Sequence, residues 1–179
     1  MQYQAVVFDM DGVIFDTERL VIEFWKEVAK KHNIPNVEHT CIQCLGTNRV
    51  RTREIFLENY GADFPFDPYR AEVTELFNTH YKGVPLPTKP GVRELLSYLQ
   101  EQDIKVGLAS STAQHLVRDE IGTAGLLPYF QTLVCGDMVE HSKPAPDIFL
   151  KACEILNADP TKSIAIEDSF NCIRSAHCA

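Results

Sequence analysis

Asp9 and Asp11 stand two residues apart, directly after the apolar run AVVF and just before Gly12. Further residues able to do chemistry follow at wide spacing: Ser110 and Ser111, then Lys143, then the pair Glu167 and Asp168. Four carboxylates in one cleft repel one another, and some would have to stay protonated. A divalent cation removes that difficulty. Carboxylates and backbone carbonyls suit a hard ion such as Mg2+, which also takes phosphate oxygens. A lysine charge and a hydroxyl donor beside a free carboxylate complete the parts of a phosphoryl-transfer site. A carboxylate can itself be the nucleophile on phosphorus.

Taken singly, each part has an ordinary reading. Asp-x-Asp-Gly after a strand is common turn chemistry. Paired serines or one loop lysine are usually solvated surface or caps. Glu167-Asp168 before Ser169 suits the start of a helix, where acids favour the dipole. The set gains weight from where the chain puts its members.

The run YQAVVF (3–8) is short, apolar and β-branched, as in a buried strand. From Leu20 the period becomes helical, with Phe24, Trp25 and Val28 in step and Pro35 as terminator. Helical patterns continue to about Tyr81. One begins at Arg49, and another starts with Asp67 as N-cap and Pro68 in its first turn. The stretch VPLPTKPG (84–91) reads as a linker. After it the rhythm alternates: a helix over 92–99, a strand IKVGLA (104–109), a helix over 112–121, and a strand TLVC (132–135). A helix over 145–156, a strand SIAI (163–166) and a helix from Phe170 complete it. This pattern predicts an α/β fold, a doubly wound parallel sheet interrupted after its first strand by a helical insertion. The expected division is a core of residues 1–15 and 88–179 and a helical module of residues 16–87. In such a sheet, functional groups gather at the C-terminal strand ends. Asp9, Asp11, Ser110, Ser111, Glu167 and Asp168 all fall there, and Lys143 lies in the loop after the third strand. The last residues, SAHCA, form neither cap nor stop signal, so at least one further strand is expected beyond Ala179.

Composition narrows the partners. The chain of 179 residues is 45% hydrophobic and 23% charged, as in a soluble globular domain, with a formal net charge of −8. That balance disfavours a grip on nucleic acid, which needs a basic face. No run of about 18 apolar residues exists to span a membrane. With no signal-peptide layout, the six cysteines read as reduced thiols of a cytoplasmic protein. Cys41 and Cys44 form a lone C-x-x-C with His39 as the only nearby third ligand, a weak zinc pattern against ordinary helix-face thiols. The six histidines have no evident partners in the sequence and read as surface or structural. Nothing in the sequence specifies an oligomeric state.

The segments VVFDMDGVIFDTE, GLASST, HSKPAPDIF and IAIEDSFNCIRSA together resemble the four ordered motifs of the haloacid dehalogenase superfamily, most closely its phosphatase and β-phosphoglucomutase branch. The likeness extends from residue 3 to the end. It implies a Rossmann-like core with a helical cap inserted after the first motif. It implies Asp9 as nucleophile and Asp11 as general acid, then base. Mg2+ would be held by Asp9, the Asp11 carbonyl and Asp168, with Glu167 in or beside its shell. Ser110 and Ser111 would bind phosphoryl oxygens, and Lys143 would neutralise their charge and hold Asp9. Side chains two apart on a strand share a face, so both acids could address one phosphorus. The substrate class implied is a small phosphorylated metabolite, with Gly46 and Arg49 of the cap as candidate contacts; Arg49 suits an anion, though a solvated turn explains both equally well.

Two departures stand out. Cys172 occupies a position where such sequences usually carry glycine. Val21 stands where a mutase is expected to carry a cap histidine. The second departure favours an aspartyl-phosphate phosphatase over a phosphosugar mutase. The remaining alternatives are an inactive truncated fragment and a phospho-receiver domain, although receivers carry their acceptor on a central strand, apart from an earlier acidic pair.

Overall fold

The computed structural model describes residues 3–45, 47, 49–141 and 143–179. The chain forms two compact units, one from the segments Met1–Asp16 and Pro85–Ala179, the other from Thr17–Val84.

The first unit is built on a parallel sheet of β1 (Ala5–Phe8), β2 (Lys105–Ser110), β3 (Thr132–Cys135) and β4 (Ser163–Ile166), in the order β3-β2-β1-β4. Ala5 pairs with Lys105 on one side and Ser163 on the other, and Gly107 pairs with Thr132. Parallel pairing needs crossovers, and these are the helices α5 (Val92–Glu101), α6 (Gln114–Thr123) and α7 (Asp147–Leu156), with α8 (Phe170–His177) following β4. Alternation along β1 sends Ala5 and Val7 to one face, where Ile148, Phe149, Ala152 and Leu156 of α7 cover them. Val6 and Phe8 turn to the other face and are equally buried. β4 is an edge strand, half-buried or exposed throughout, unlike β1 and β3. This is an α/β, Rossmann-like fold.

The second unit is all helical: α1 (Thr17–His32), α2 (Val37–Gln43), α3 (Arg49–Tyr60) and α4 (Phe66–Tyr81). Its core is aromatic. Trp25 of α1 lies 4.5 Å from Phe56 and 5.9 Å, stacked, from Phe66, ring centre to ring centre, and Phe24 meets Phe77 at 5.8 Å. On α1, Leu20, Phe24, Trp25 and Val28 recur at helical spacing and are all buried.

Local details depart from expectation. α1 stops before Pro35 acts: Asn33 is left-handed (φ 55°) and the Ile34 amide donates to the Ala29 carbonyl. α4 begins one residue before Asp67, at Phe66 after Pro65, so Asp67 is a first-turn acid and not the N-cap. The Asp67 carboxylate accepts instead from Arg49 at 3.4 Å and Arg53 at 3.2 Å. Three histidines have partners that the sequence does not announce: His32 with Glu72 (2.8 Å), His39 with Gln43 (3.1 Å) and His141 with Asp147 (2.9 Å). Among the described residues, no helix is long and apolar enough to cross a membrane.

Candidate active site

β1 ends one residue before Asp9, so strand alternation does not orient the first two acids. The Asp9 amide still donates to the Ile166 carbonyl at 3.0 Å, which carries the β1–β4 ladder one step further. The chain then folds into a tight loop. The Ile14 and Phe15 amides both donate to the Met10 carbonyl, and the Gly12 amide donates to Phe15 at 3.0 Å. Buried Met10, Ile14 and Phe15 anchor this loop in the core. Asp9 is buried and Asp11 exposed, so the two carboxylates meet different surroundings although they are two residues apart.

Gly12 has φ +75°, a conformation that side chains disfavour. A Cβ there would also lie 1.8 Å from Asp168 Oδ2. The loop after β1 is thus shaped to admit the Asp168 carboxylate from beyond the end of β4.

The centre of the site is Lys143. Its side chain is buried, and Nζ donates to Asp9 Oδ1 at 2.9 Å and to Glu167 Oε1. The Phe149 ring lies 5.0 Å from the ammonium. Glu167 is buried as well, and among the described residues its Oε2 has no hydrogen-bond partner. Ligand atoms of Asp9, Glu167 and Cys172 lie within 4.8 Å of one another. One lysine therefore faces several carboxylates.

The electrostatics follow from that imbalance. Burial and the Asp9 charge push Glu167 up to about 7, against the pull of Lys143. Asp168 is also raised, by burial and again by Asp9. Burial pulls Lys143 down, but the Asp9 and Glu167 charges outweigh it and hold the ammonium above its usual range. Acids raised by crowding, with one buried oxygen left unpartnered, are what a hard divalent cation would relieve.

The other expected residues are distributed as follows. Ser110 ends β2, is buried, and its Oγ accepts from the Thr112 amide at 3.1 Å. Ser111 is exposed. Thr112 Oγ1 reaches Asp11 Oδ2 at 3.4 Å. Arg49 lies in the helical unit, paired with Asp67. Gly46 and Asn48 lie outside the described residues.

Three residues near the acids escaped the sequence reading as participants. Thr112 was visible as the third hydroxyl of the SST run. Cys172 was visible only as an odd residue at the start of the last helix. Glu120 of α6, raised to about 7 by burial and then by Asp11 and Asp119, had no signal, because its nearness to Asp11 is a matter of tertiary packing. In the helical unit, burial pushes Cys41 up to about 12 and Cys44 up to about 11.

Comparison with known proteins agrees with this architecture. The family model for haloacid dehalogenase-like hydrolases matches residues 6–179. A phosphorylated carbohydrates phosphatase of Thermotoga maritima is 33% identical, the alignment covering 98% of this chain and 81% of that protein. A β-phosphoglucomutase of Bacillus subtilis is also 33% identical, over 97% of this chain and 80% of its own length. A crystal structure of a Thermotoga maritima protein, 33% identical, superposes with a TM-score of 0.76 over 99% of this chain and 81% of that one. With the family model running through the whole α/β unit and the helical insertion alike, the chain belongs to the haloacid dehalogenase-like hydrolases.

Proposed function

We propose that this chain is a phosphoric monoester hydrolase, a Mg2+-dependent phosphatase of small sugar phosphates that works through an aspartyl-phosphate. The observation that carries the reading is the buried Lys143 bridging Asp9 and Glu167, beside the unpartnered Glu167 oxygen. The Thermotoga maritima relative, a phosphatase of phosphorylated carbohydrates, supports the substrate class.

In this reading a carboxylate oxygen of Asp9 attacks phosphorus, and the bond to the sugar oxygen breaks. Asp11, more exposed than Asp9, gives its proton to the leaving oxygen. A water then attacks the phosphorus of the acyl phosphate, loses its proton to Asp11, and frees phosphate and Asp9. Lys143 offsets charge gathering on the phosphoryl oxygens and holds Asp9 in line. Ser110 and Ser111 supply hydroxyl donors to those oxygens. Asp9, the Asp11 carbonyl and Asp168 would hold Mg2+, with Glu167 in or beside its shell. Bound there, the ion would lower the repulsion between the carboxylates and an anionic substrate. Residues 16–87 act as the cap that selects the sugar, and Arg49 contributes an anion contact.

The test is a panel of aryl and sugar phosphates assayed with and without Mg2+. Phosphate release should require the metal and should vanish in Asp9→Asn. Full activity of that variant would sink the mechanism. The Bacillus subtilis relative keeps a second reading in view, a phosphosugar mutase. Phosphorus NMR of the products separates the two, since a hydrolase accumulates inorganic phosphate and a mutase an isomeric ester.

A further inference from the structure

Cys172 sits in the first turn of α8, where its amide donates to the Ser169 hydroxyl that caps the helix. That anchor fixes the residue beside the carboxylates. Its sulfur belongs to the one group of possible ligand atoms, Asp9, Glu167 and Cys172, that lies within 4.8 Å among the described residues. The buried Glu167 oxygen that supports the metal reading above also points at a ligand here. The Glu167 side chain is only 2% exposed, and its Oε2 is unpartnered. Lys143 occupies the opposite oxygen, Oε1, so the free oxygen is not spoken for by the lysine. A buried carboxylate oxygen without a partner is costly unless something binds it.

We infer that Cys172 gives this carboxylate centre a thiolate arm, so that Asp9, Glu167 and Cys172 together take a thiophilic divalent cation such as Zn2+ or Cd2+. The inference rests on the metal reading of the same site proposed above. A centre made only of oxygen ligands discriminates weakly among hard ions, whereas one sulfur ligand shifts preference strongly toward zinc-like metals. On binding, the thiol proton leaves to solvent and the sulfur lone pair fills the bond to the metal. The consequence is a regulatory one: Zn2+ competes with Mg2+ for the carboxylates and arrests turnover.

Cd2+ alone is the probe, because sulfur-to-cadmium charge transfer absorbs in the ultraviolet and reports the thiolate bond directly. Titration of the full chain should develop this band at one equivalent. Cys172→Ser should lose the band and bind Cd2+ at least about tenfold more weakly. Glu167→Gln should keep the band but weaken binding by a similar factor, and so serves as the second test should Cys172→Ser fail to fold. Cys44→Ala, which breaks the C-x-x-C pair of the helical unit, should change nothing. The inference is overturned if the band survives Cys172→Ser, if Cys44→Ala removes it, or if Glu167→Gln binds Cd2+ as tightly as the parent. A Cys172-dependent band in a protein with no Mg2+-dependent phosphatase activity would leave this inference standing and overturn the phosphatase reading. Mg2+-dependent activity without the band would do the reverse.

Discussion

Replacing Lys143 by methionine would leave Asp9 and Glu167 facing each other across a buried space with no cation between them. The expected loss is about a hundredfold to a thousandfold in turnover, read from steady-state phosphate release. Lys143→Arg should not restore it, because a planar guanidinium cannot occupy the compact point between two carboxylate oxygens that the ammonium fills. Glu120 carries a separate prediction. Its carboxyl is raised from 4.5 to about 7, so the folded state holds the proton more tightly than the unfolded chain. The stability this contributes is fully present below pH about 4.5 and is lost as pH rises through about 7. Denaturation midpoints of the parent should therefore fall relative to Glu120→Gln across that window; parallel curves would discount the burial. At this scale the sequence revealed the types of residue and their strand-end placement. It could not reveal that Lys143 would span Asp9 and Glu167, that Glu120 would approach Asp11, or that Ser110 would spend its hydroxyl oxygen on the Thr112 amide. The first two are distances between elements far apart in the chain, and the third depends on how the loop after β2 turns.

Among the elements, four helices end by one device. After α1, α5, α6 and α7 the chain passes through a left-handed residue: Asn33, Asp103, Gly125 and Asn157. In each case the next amide reaches back to the helix, from Ile34 to Ala29, Ile104 to Leu99, Leu126 to Ile121 and Ala158 to Cys153. An apolar residue follows the left-handed one every time, as the Schellman arrangement prefers. Asp103→Val should cost about 1–2 kcal/mol in chemical denaturation, since a β-branched side chain is strained there. Asp103→Gly should be neutral or better. The positions of strands and helices were legible because apolar period and length both point the same way. The stops were less so. Asn and Asp serve turns, caps and surfaces alike, so Pro35 drew the eye although Asn33 had already ended α1. For the same reason Asp67-Pro68 looked like a cap pair when the helix had begun at Phe66.

The whole molecule has two separate cores, one aromatic and helical, one of aliphatic strands under helices. Trp25, the sole tryptophan, is buried in the helical unit and so reports on that unit by fluorescence. Leu96→Ala, in the α/β unit, should lower stability by about 2–5 kcal/mol. It should displace the far-UV circular dichroism midpoint more than the Trp25 fluorescence midpoint. Coincident shifts would mean that the two cores unfold as one. Alternation of strands and helices made the α/β unit legible, and a succession of helical patterns with no strand between them made the insertion legible. Which helical side chains would meet a substrate in the proposed reading was not, because selection depends on surfaces and not on period.

The placement of β1 between β2 and β4 has a consequence in time as well as space. On the ribosome β1 emerges before both of its neighbours in the sheet, β2 and β4, which are made only after the entire helical unit. At about 5–20 residues per second, that wait lasts several seconds. Through it, AVVF, a fully apolar segment with both edges open, has nothing to pair with. The helical unit, whose contacts are local, can close first. Nascent chains of this protein should thus carry a folded insertion on an unfolded frame, with β1 as the segment most in need of a chaperone.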